Sequence, residues 1–450
     1  MNDIVNQFHQ DFRETLLRLD AGERKAVEWQ RELERMNFEA GCRIGGNKAV
    51  PCYLLPYVMS GAMEARVRRL TEQIMNALEK ATELYFAGPE YRHLFELSAD
   101  EAMLAEIDPG YTRKIILARL DAFIIGERIV FIEFNCDSPG GMDTDLMASN
   151  LLAVSPFREL AERYEARWVD LRPRLLDTLV RKYFDGGGKK DKPDIALLAD
   201  AHGHTFPEFI MLVSYFNQQG FRTKFGNPWE VEYRDGVLYR EEQPVDLVYR
   251  RGAIGDWTGN LERIQPLVNA YRDGAVTVVN PLRSKVGGMK SMLSVLTDEK
   301  MQHLFNEEEQ AAIRETIPWT RFVRPGETSY NGTVISLLDF IAANREKLVL
   351  KPNSAYGGRD VAIGPELSQK EWEDVLALTS TGRWVVQEYV PIPTIELPVF
   401  GPELTFARKK VNVNFFAFNG HYAGAYARTS DSSVINVARG GGQMPVFTLP

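Results

Sequence analysis

The sequence predicts a mixed chain, part α/β and part α+β, arranged as several lobes. Three observations carry this. The 450 residues exceed what one small core organises. Near the N-terminus, apolar residues keep helical spacing: Phe8, Phe12, Leu16 and Leu19, then Val67, Leu70, Ile74 and Leu78. Beyond residue 113, short apolar strands alternate with helical stretches, the order that builds sheets with helices packed on them.

Taken in order, residues 1–113 read as mostly helical, interrupted by GCRIGGNKAVPCYLLPYVMS, whose glycines and prolines suit an extended, packed connection. Residues 114–184 open with short strands and close with helices ending near Tyr183. DGGGKKDKPD, residues 185–194, reads as a linker. Residues 194–280 run strand (DIALLAD), helix (FPEFIMLVSYFNQQG, with a glycine stop), hairpin and strand (DLVYRRG), which predicts a small α/β lobe. Residues 281–450 predict a helix from about Gly288 to Phe305, the strand PWTRFV and a helix near 331–346. The strand KLVLKP, a Gly-rich turn, VAIG, a helix, WVVQEYV, VNVNFFAF and YAGAYAR follow. In the final SVINVARGGGQMPVF, Asn436 is expected in a strand, ahead of three glycines. No internal repeat is visible.

Bulk properties exclude some functions. A net charge of −9 argues against general binding to nucleic acid or acidic membranes. Three cysteines without a CxxC pair argue against a disulfide framework or a zinc ribbon and fit a reducing compartment. The N-terminus has neither a basic nor an apolar leader segment, and no apolar run reaches the roughly 18 residues of a membrane span. The expectation is a cytoplasmic protein.

The stretch FIEFNCDSPGG, 131–141, raises the chemical question. Side chains alternate along a strand, so Glu133 and Asn135 share one face, and Ile132 and Phe134 are expected on the other, facing the core. ARLDAFIIGERIVFIEFN reads as a hairpin around Gly126, with Arg119 and Asp121 sharing a face of its first strand. A two-residue loop would pair Asp121 with Ile132 and separate the polar groups. A three-residue loop, or a bulge of equal effect, would bring them together. Converged, Asp121, Glu133 and Asn135 offer hard oxygen donors suited to Mg²⁺, with Arg119 as a phosphate clamp. A structural Arg–Glu pair on a wet sheet face is the plainer alternative.

Three further segments carry chemistry. LVLKPNSAYGGRDVAIG delivers Lys351 from a strand into a loop with Gly357 and Gly358, where backbone amides can approach an anion; a plain hairpin with a solvated lysine is the alternative. WVVQEYV runs into Pro391, so backbone groups near Gln387, Glu388, Tyr389 and Val390 are candidates for reading an adenine edge, with an ordinary core strand as the alternative. The tail brings Arg428, Asn436 and Gly440 to Gly442, or else forms a flexible terminal turn. His202 and His204 have ligand-like spacing but no third ligand near them in sequence. Cys136 suits a buried filler, and Asp137, Asp143 and Asp145 are candidates to border an amine site, with turn and cap roles as the plainer alternative.

The RxD pair at 119–121 and the ExN triplet at 133–135 resemble the metal-binding element of glutathionylspermidine synthases and eukaryotic glutathione synthetases. VVNPLRSKVGGMKSMLSVLTDE, 278–299, resembles the segment that carries their ATP-contacting lysine, here Lys290, and the order of motifs matches as well. The broader circularly permuted ATP-grasp family is the closer likeness, over roughly 115–450. One departure concerns a loop glutamate of the two named synthetases, whose position here is Ala355.

The resemblance implies a circularly permuted ATP-grasp fold with an N-terminal helical region and a small inserted α/β lobe. Its core strands would lie in 114–184 and its ATP-binding lobes in 281–450. It also implies an ATP-dependent carboxylate–amine ligase, acting through an acyl phosphate on small-molecule or peptide substrates. ATP and Mg²⁺, as two ions, are the implied cofactors. Asp121, Glu133 and Asn135 would hold Mg²⁺, and Arg119 and Arg428 would serve catalysis. Lys290, Lys351, Gly357, Gly358 and Asn436, with the 387–390 segment, would hold ATP. A kinase on the same frame and a non-catalytic nucleotide-binding partner protein are the alternatives.

Overall fold

The structure, a computed structural model, describes residues 3–23, 25–44, 48–154, 157–200, 206–355, 357–380 and 383–450. Two sheets position the site. The larger has seven strands. In order these are Tyr57–Ser60, Gly442–Leu449, His421–Ser430, Leu404–Phe418, Leu117–Ile125 and Arg128–Asn135, with Thr394–Phe400 added along Leu404–Phe418. All its pairings are antiparallel except that of Gly442–Leu449 with Tyr57–Ser60. The smaller is antiparallel, in the order Thr320–Phe322, Trp384–Glu388, Leu348–Pro352 and Ala362–Ile363.

The helix Gly61–Ala87 covers the large sheet. Ser60 caps it, accepting from the Met63 amide at 3.2 Å. Its apolar stripe, Val67, Leu70, Ile74 and Leu78, is fully buried in one cluster with Phe8 and Phe12 of the first helix and Phe131, Phe415 and Phe447 of the sheet. Each such side chain contributes about 1.5–3 kcal/mol through burial. That cluster makes the sheet a rigid base for the polar groups on its opposite face.

A four-stranded parallel sheet, Thr277–Val279, Leu247–Arg250, Ile195–Leu198 and Thr223–Gly226, forms the inserted α/β unit. The segment read as a linker at 185–194 is an ordered turn: the amides of Lys189 and Lys190 donate to the Tyr183 hydroxyl, and Lys190 reaches Asp194 and Asp246. Buried Asn280 ties this unit to the hairpin. It accepts from the Leu117 amide at 2.7 Å and donates to the carbonyls of Leu117 and Cys136.

Several elements differ from expectation. The helix expected near 331–346 begins only at Leu337; Glu327–Tyr330 and Thr333–Ser336 form a hairpin before it. Alternating ETSY and TVIS around Asn331-Gly332 favour that turn. The helix expected over 288–305 is broken into Ser291–Thr297 and a 3₁₀ segment, Glu299–Leu304, because Asp298 is extended and caps Lys300. Asn436 is not in a strand. It caps the short 3₁₀ turn Val437–Arg439, accepting from the Ala438 amide at 2.8 Å, and the strand starts at Gly442. Among the described residues, no helix is long and apolar enough to cross a membrane.

Candidate active site

The hairpin Leu117–Ile125/Arg128–Asn135 solves its register problem with a bulge. Its turn has two residues, so Ile125 pairs with Arg128 and Ala122 with Phe131. The register then shifts at Ile132, and Asp121 faces Glu133 while Arg119 faces Asn135. The four polar side chains therefore share one face. Ile132 departs from expectation: as the extra residue it joins Phe123, Val130 and Val390 in an apolar patch on the site side, while Phe134 enters the core.

Asp121 is 3% exposed and held by two arginines. Arg119 donates to Oδ1 at 2.8 Å and Oδ2 at 3.1 Å, and Arg428 donates to Oδ2 at 2.5 Å. Burial alone would raise its carboxyl pKa; Arg119 and Arg428 outweigh that and bring it below the ordinary range. Arg428 is fixed in turn by Asn412 and Asn414, at 3.3 and 2.9 Å. These two asparagines were missed from sequence. Their signal was period-2 Asn in the apolar strand VNVNFF, which puts both amides on one face.

The small sheet faces this array. Lys351 donates to the Ile132 carbonyl at 3.1 Å and to Gln387 Oε1 at 2.6 Å. Gln387 is buried and also donates to Thr320 Oγ1, so it orients Lys351. Lys290 reaches Glu133 Oε1 at 3.0 Å and the Ala355 carbonyl at 2.5 Å. Buried Asn353, also missed, docks the Lys290 segment onto the Lys351 strand by accepting from the Ser291 amide at 2.8 Å. The Glu388 and Tyr389 amides donate to the carbonyls of Trp319 and Lys347, which leaves Val390 as the candidate adenine-reading amide of this segment.

Gly357 and Gly358 both have positive φ, at 70° and 67°. Asn436 Nδ2 donates to the Gly357 carbonyl at 2.7 Å, so the tail folds against this loop. A Cβ on Gly358 would meet Val434 Cγ1 at 2.2 Å. Gly358→Ala is expected to cost about 1–2 kcal/mol from the left-handed backbone alone and to weaken ATP binding by about tenfold. Adding Val434→Ala should recover part of that loss, as calorimetric titration of ATP into the full chain would reveal.

These groups line a groove of about 220 Å³ that takes in Arg119, Asp121, Glu133, Asn135, Lys290, Lys351, Gly357, Gly358, Gln387, Glu388, Tyr389, Val390, Arg428 and Asn436. Arg119, Asn135, Arg428 and Asn436 also line an adjoining chamber of about 1020 Å³. Asp137 and Asp145 act structurally: Asp137 pairs with Arg250 at 2.6 Å and accepts from the Ile254 amide, and Asp145 accepts from the Leu171 amide. Cys136 is fully buried. His202 and His204 lie outside the described residues.

Burial draws the Lys351 ammonium down to about 8; neighbouring Glu133 opposes this and Lys290 reinforces it. The folded chain thus loses this proton before the unfolded one, whose lysine titrates near 10.4. Between these values the group makes stability rise with pH, whereas phosphate binding needs the proton present. ATP affinity is therefore expected to fall above about pH 8, approaching tenfold per pH unit, and Lys351→Arg should flatten that limb.

A hard cation fits part of this site. Among the described residues, no cluster of three or more His, Cys, Asp or Glu is arranged for a metal. Glu133 and Asn135 project together, and Asn135 Nδ2 is buried without a hydrogen-bond partner. An amide turned end for end offers its oxygen instead, so Glu133 and Asn135 suit Mg²⁺ alongside phosphate oxygens. Asp121 fits less well as a ligand, because three guanidinium hydrogen bonds already occupy its oxygens.

The family model described as "Circularly permuted ATP-grasp type 2" matches residues 126–430. An uncharacterized protein of Mycobacterium tuberculosis (strain ATCC 25618 / H37Rv) is 24% identical over 440 residues, 90% of this chain and 74% of that protein. A Frankia casuarinae protein whose name assigns it, provisionally, to the glutamate–cysteine ligases is 27% identical over 212 residues, 46% of this chain and 22% of that protein. In structure, the glutathione synthetase-like effector GSS30 of Globodera pallida, in its apo form, superposes with a TM-score of 0.60 at 12% identity, covering 94% of this chain and 96% of that one. That likeness speaks for the fold. With the family match covering most of its length, the chain belongs to the circularly permuted ATP-grasp type 2 family.

Proposed function

We propose that the chain is an ATP-dependent carboxylate–amine ligase that joins a small-molecule or peptide acid to an amine through an acyl phosphate. One observation carries the reading. Two lysines from one side and an Arg–Asp–Arg array from the other meet in a single groove that opens into a chamber large enough for two substrates. Such an arrangement suits the approach of an anionic acid to a triphosphate, where electrostatic compensation dominates the barrier.

In this reading Lys290 and Lys351 hold phosphate oxygens, Gly357 and Gly358 cover them, and Val390 reads adenine. Glu133 and Asn135 would hold magnesium, which supplies charge neutralisation on the phosphates when bound. Arg119 and Arg428, kept in place by Asp121, hold the acid carboxylate and the phosphoryl group it receives. The carboxylate attacks the γ-phosphate and ADP leaves; the amine then displaces phosphate from the acyl carbon. The three cysteines are free and buried, which fits the proposed cytoplasmic setting.

A screen of amino acids, short peptides and polyamines for ADP release with Mg²⁺ and ATP tests this. Release is expected to require both an acid and an amine. A phosphorylated acid accumulating without amine would identify a kinase. ATP binding with no release across the panel would identify a non-catalytic nucleotide-binding protein, a reading favoured by Ala355, which offers only its carbonyl, to Lys290, where related synthetases have a glutamate.

A further inference from the structure

We propose that Asp143 binds the ammonium group of the amine substrate and removes its proton before attack; this deepens the ligase reading and rests on it. Four buried carboxylates line the large chamber: Glu101, Asp137, Asp143 and Glu208. Three are matched. Glu101 meets Lys285 at 3.1 Å, Asp137 meets Arg250 at 2.6 Å, and Glu208 meets Arg251 at 3.2 Å and accepts from the Gly141 and Met142 amides at 3.3 Å. Asp143 is 8% exposed, yet its Oδ1 is buried with no hydrogen-bond partner among the described residues. Arg251, the cation facing it, is paired with Glu208; a buried carboxylate without a cation of its own is costly, and a substrate ammonium is the group that would complete it.

The loop bearing Asp143 is tied to the reacting end of the chamber. Arg119 donates to the Gly140 carbonyl at 2.9 Å, and Gly141 packs so closely on Tyr426 that a Cβ there would lie 2.5 Å from its ring. The groups facing Asp143 are Glu208, Arg251, Gln443, Tyr426 and Cys42. Burial, then the like charge of Glu208, pushes its carboxyl up to about 7, against hydrogen bonds from its own backbone amide and from Gln443 and the charge of Arg251. A base with that affinity is suited to proton transfer near neutral pH.

The step balances. The ammonium gives one proton to the Asp143 carboxylate, leaving a neutral amine. Its lone pair forms the C–N bond to the acyl carbon as the C–O bond to phosphate breaks. The departing phosphate takes the oxygen, the electron pair and the second nitrogen proton, and Asp143 returns its proton to water. Asp143 also begins the helix Thr144–Val154, its carbonyl accepting from the Leu146 and Met147 amides. Asn serves equally well at that position, so Asp143→Asn should preserve the helix.

The test uses the full chain with Mg²⁺-ATP, the acid and ammonium-bearing amine giving the most ADP in the screen, and hydroxylamine, an amine already neutral at neutral pH. Asp143→Asn is expected to lower kcat/KM for the ammonium-bearing amine by about 10²-fold or more and to remove the rise in rate near pH 7. Hydroxamate formation from hydroxylamine should stay within about twofold of the parent protein. Asp143→Glu should restore part of the lost rate, and Asp143→Ser should behave as the Asn variant does. Equal loss with both amines, or no loss with either, would overturn the assignment while leaving the ligase reading intact. A parent protein that forms neither amide nor hydroxamate would sink the ligase reading itself, and this assignment with it.

Discussion

Asp121→Asn is expected to abolish ADP formation and to destabilise the chain by about 3 kcal/mol. Both effects follow from what the carboxylate holds. Asp121 is the charge partner of Arg119 and Arg428, with side chains that are 12%, 4% and 12% exposed in the order Arg119, Asp121, Arg428. Removing one member of a buried pair leaves uncompensated charge and costs about 3–5 kcal/mol; a neutral amide that still accepts one hydrogen bond places the expectation at the lower end. The rate effect is separate, since without the carboxylate only neutral partners remain to aim the guanidiniums, Gly140 for Arg119 and Asn412 and Asn414 for Arg428. Combining Asp121→Asn with Arg428→Gln should recover part of the stability and none of the activity. Chemical denaturation and ADP release on the same samples distinguish the two. Unchanged turnover in the single variant would mean that the array is not part of the site.

Lys290→Met should lower kcat with ATP by about 10²–10³-fold, the loss typical of removing one preorganised electrostatic donor. Its effect on folding should be much smaller, because Met fills similar space. The linked effect is more specific. Lys290 helps to hold the Lys351 ammonium below its ordinary value. Without it the Lys351 pKa rises above about 8, and the alkaline fall in ATP affinity moves to higher pH. A calorimetric pH series on the variant reads this directly. An alkaline limb left in place would show that the two lysines do not share one field.

Much of the site was legible because alternation along strands is a strict rule. Glu133 and Asn135 had to share a face, as did Arg119 and Asp121. Whether the two faces coincided depended on a bulge at Ile132, and nothing local marks that residue as the extra one. The same bulge turned Ile132 toward the site. Lys351 and its glycines were readable from the strand–loop pattern. The docking of Lys290 through Asn353 was not, since it joins residues 62 apart in sequence by a side chain that reads as an ordinary loop Asn. Asp143 was legible only as one of three aspartates suited to a cap or to the border of an amine site, because an N-cap Asp and a buried Asp lacking a cation of its own look alike until the surrounding cations are located. The hairpin at 327–336 was hidden for a different reason: the apolar residues that follow it, at 334–341, extend a helical pattern back over its Asn-Gly turn.

The central claim is that the acid becomes an acyl phosphate on this chain, and its most direct test follows oxygen. The acid found by the screen is labelled with ¹⁸O in its carboxylate and turned over with ATP, Mg²⁺ and the amine, and the released phosphate is analysed by mass. The account predicts one labelled oxygen in the phosphate for every amide formed, carried across when the acyl–oxygen bond breaks. Amide formed alongside unlabelled phosphate would contradict it.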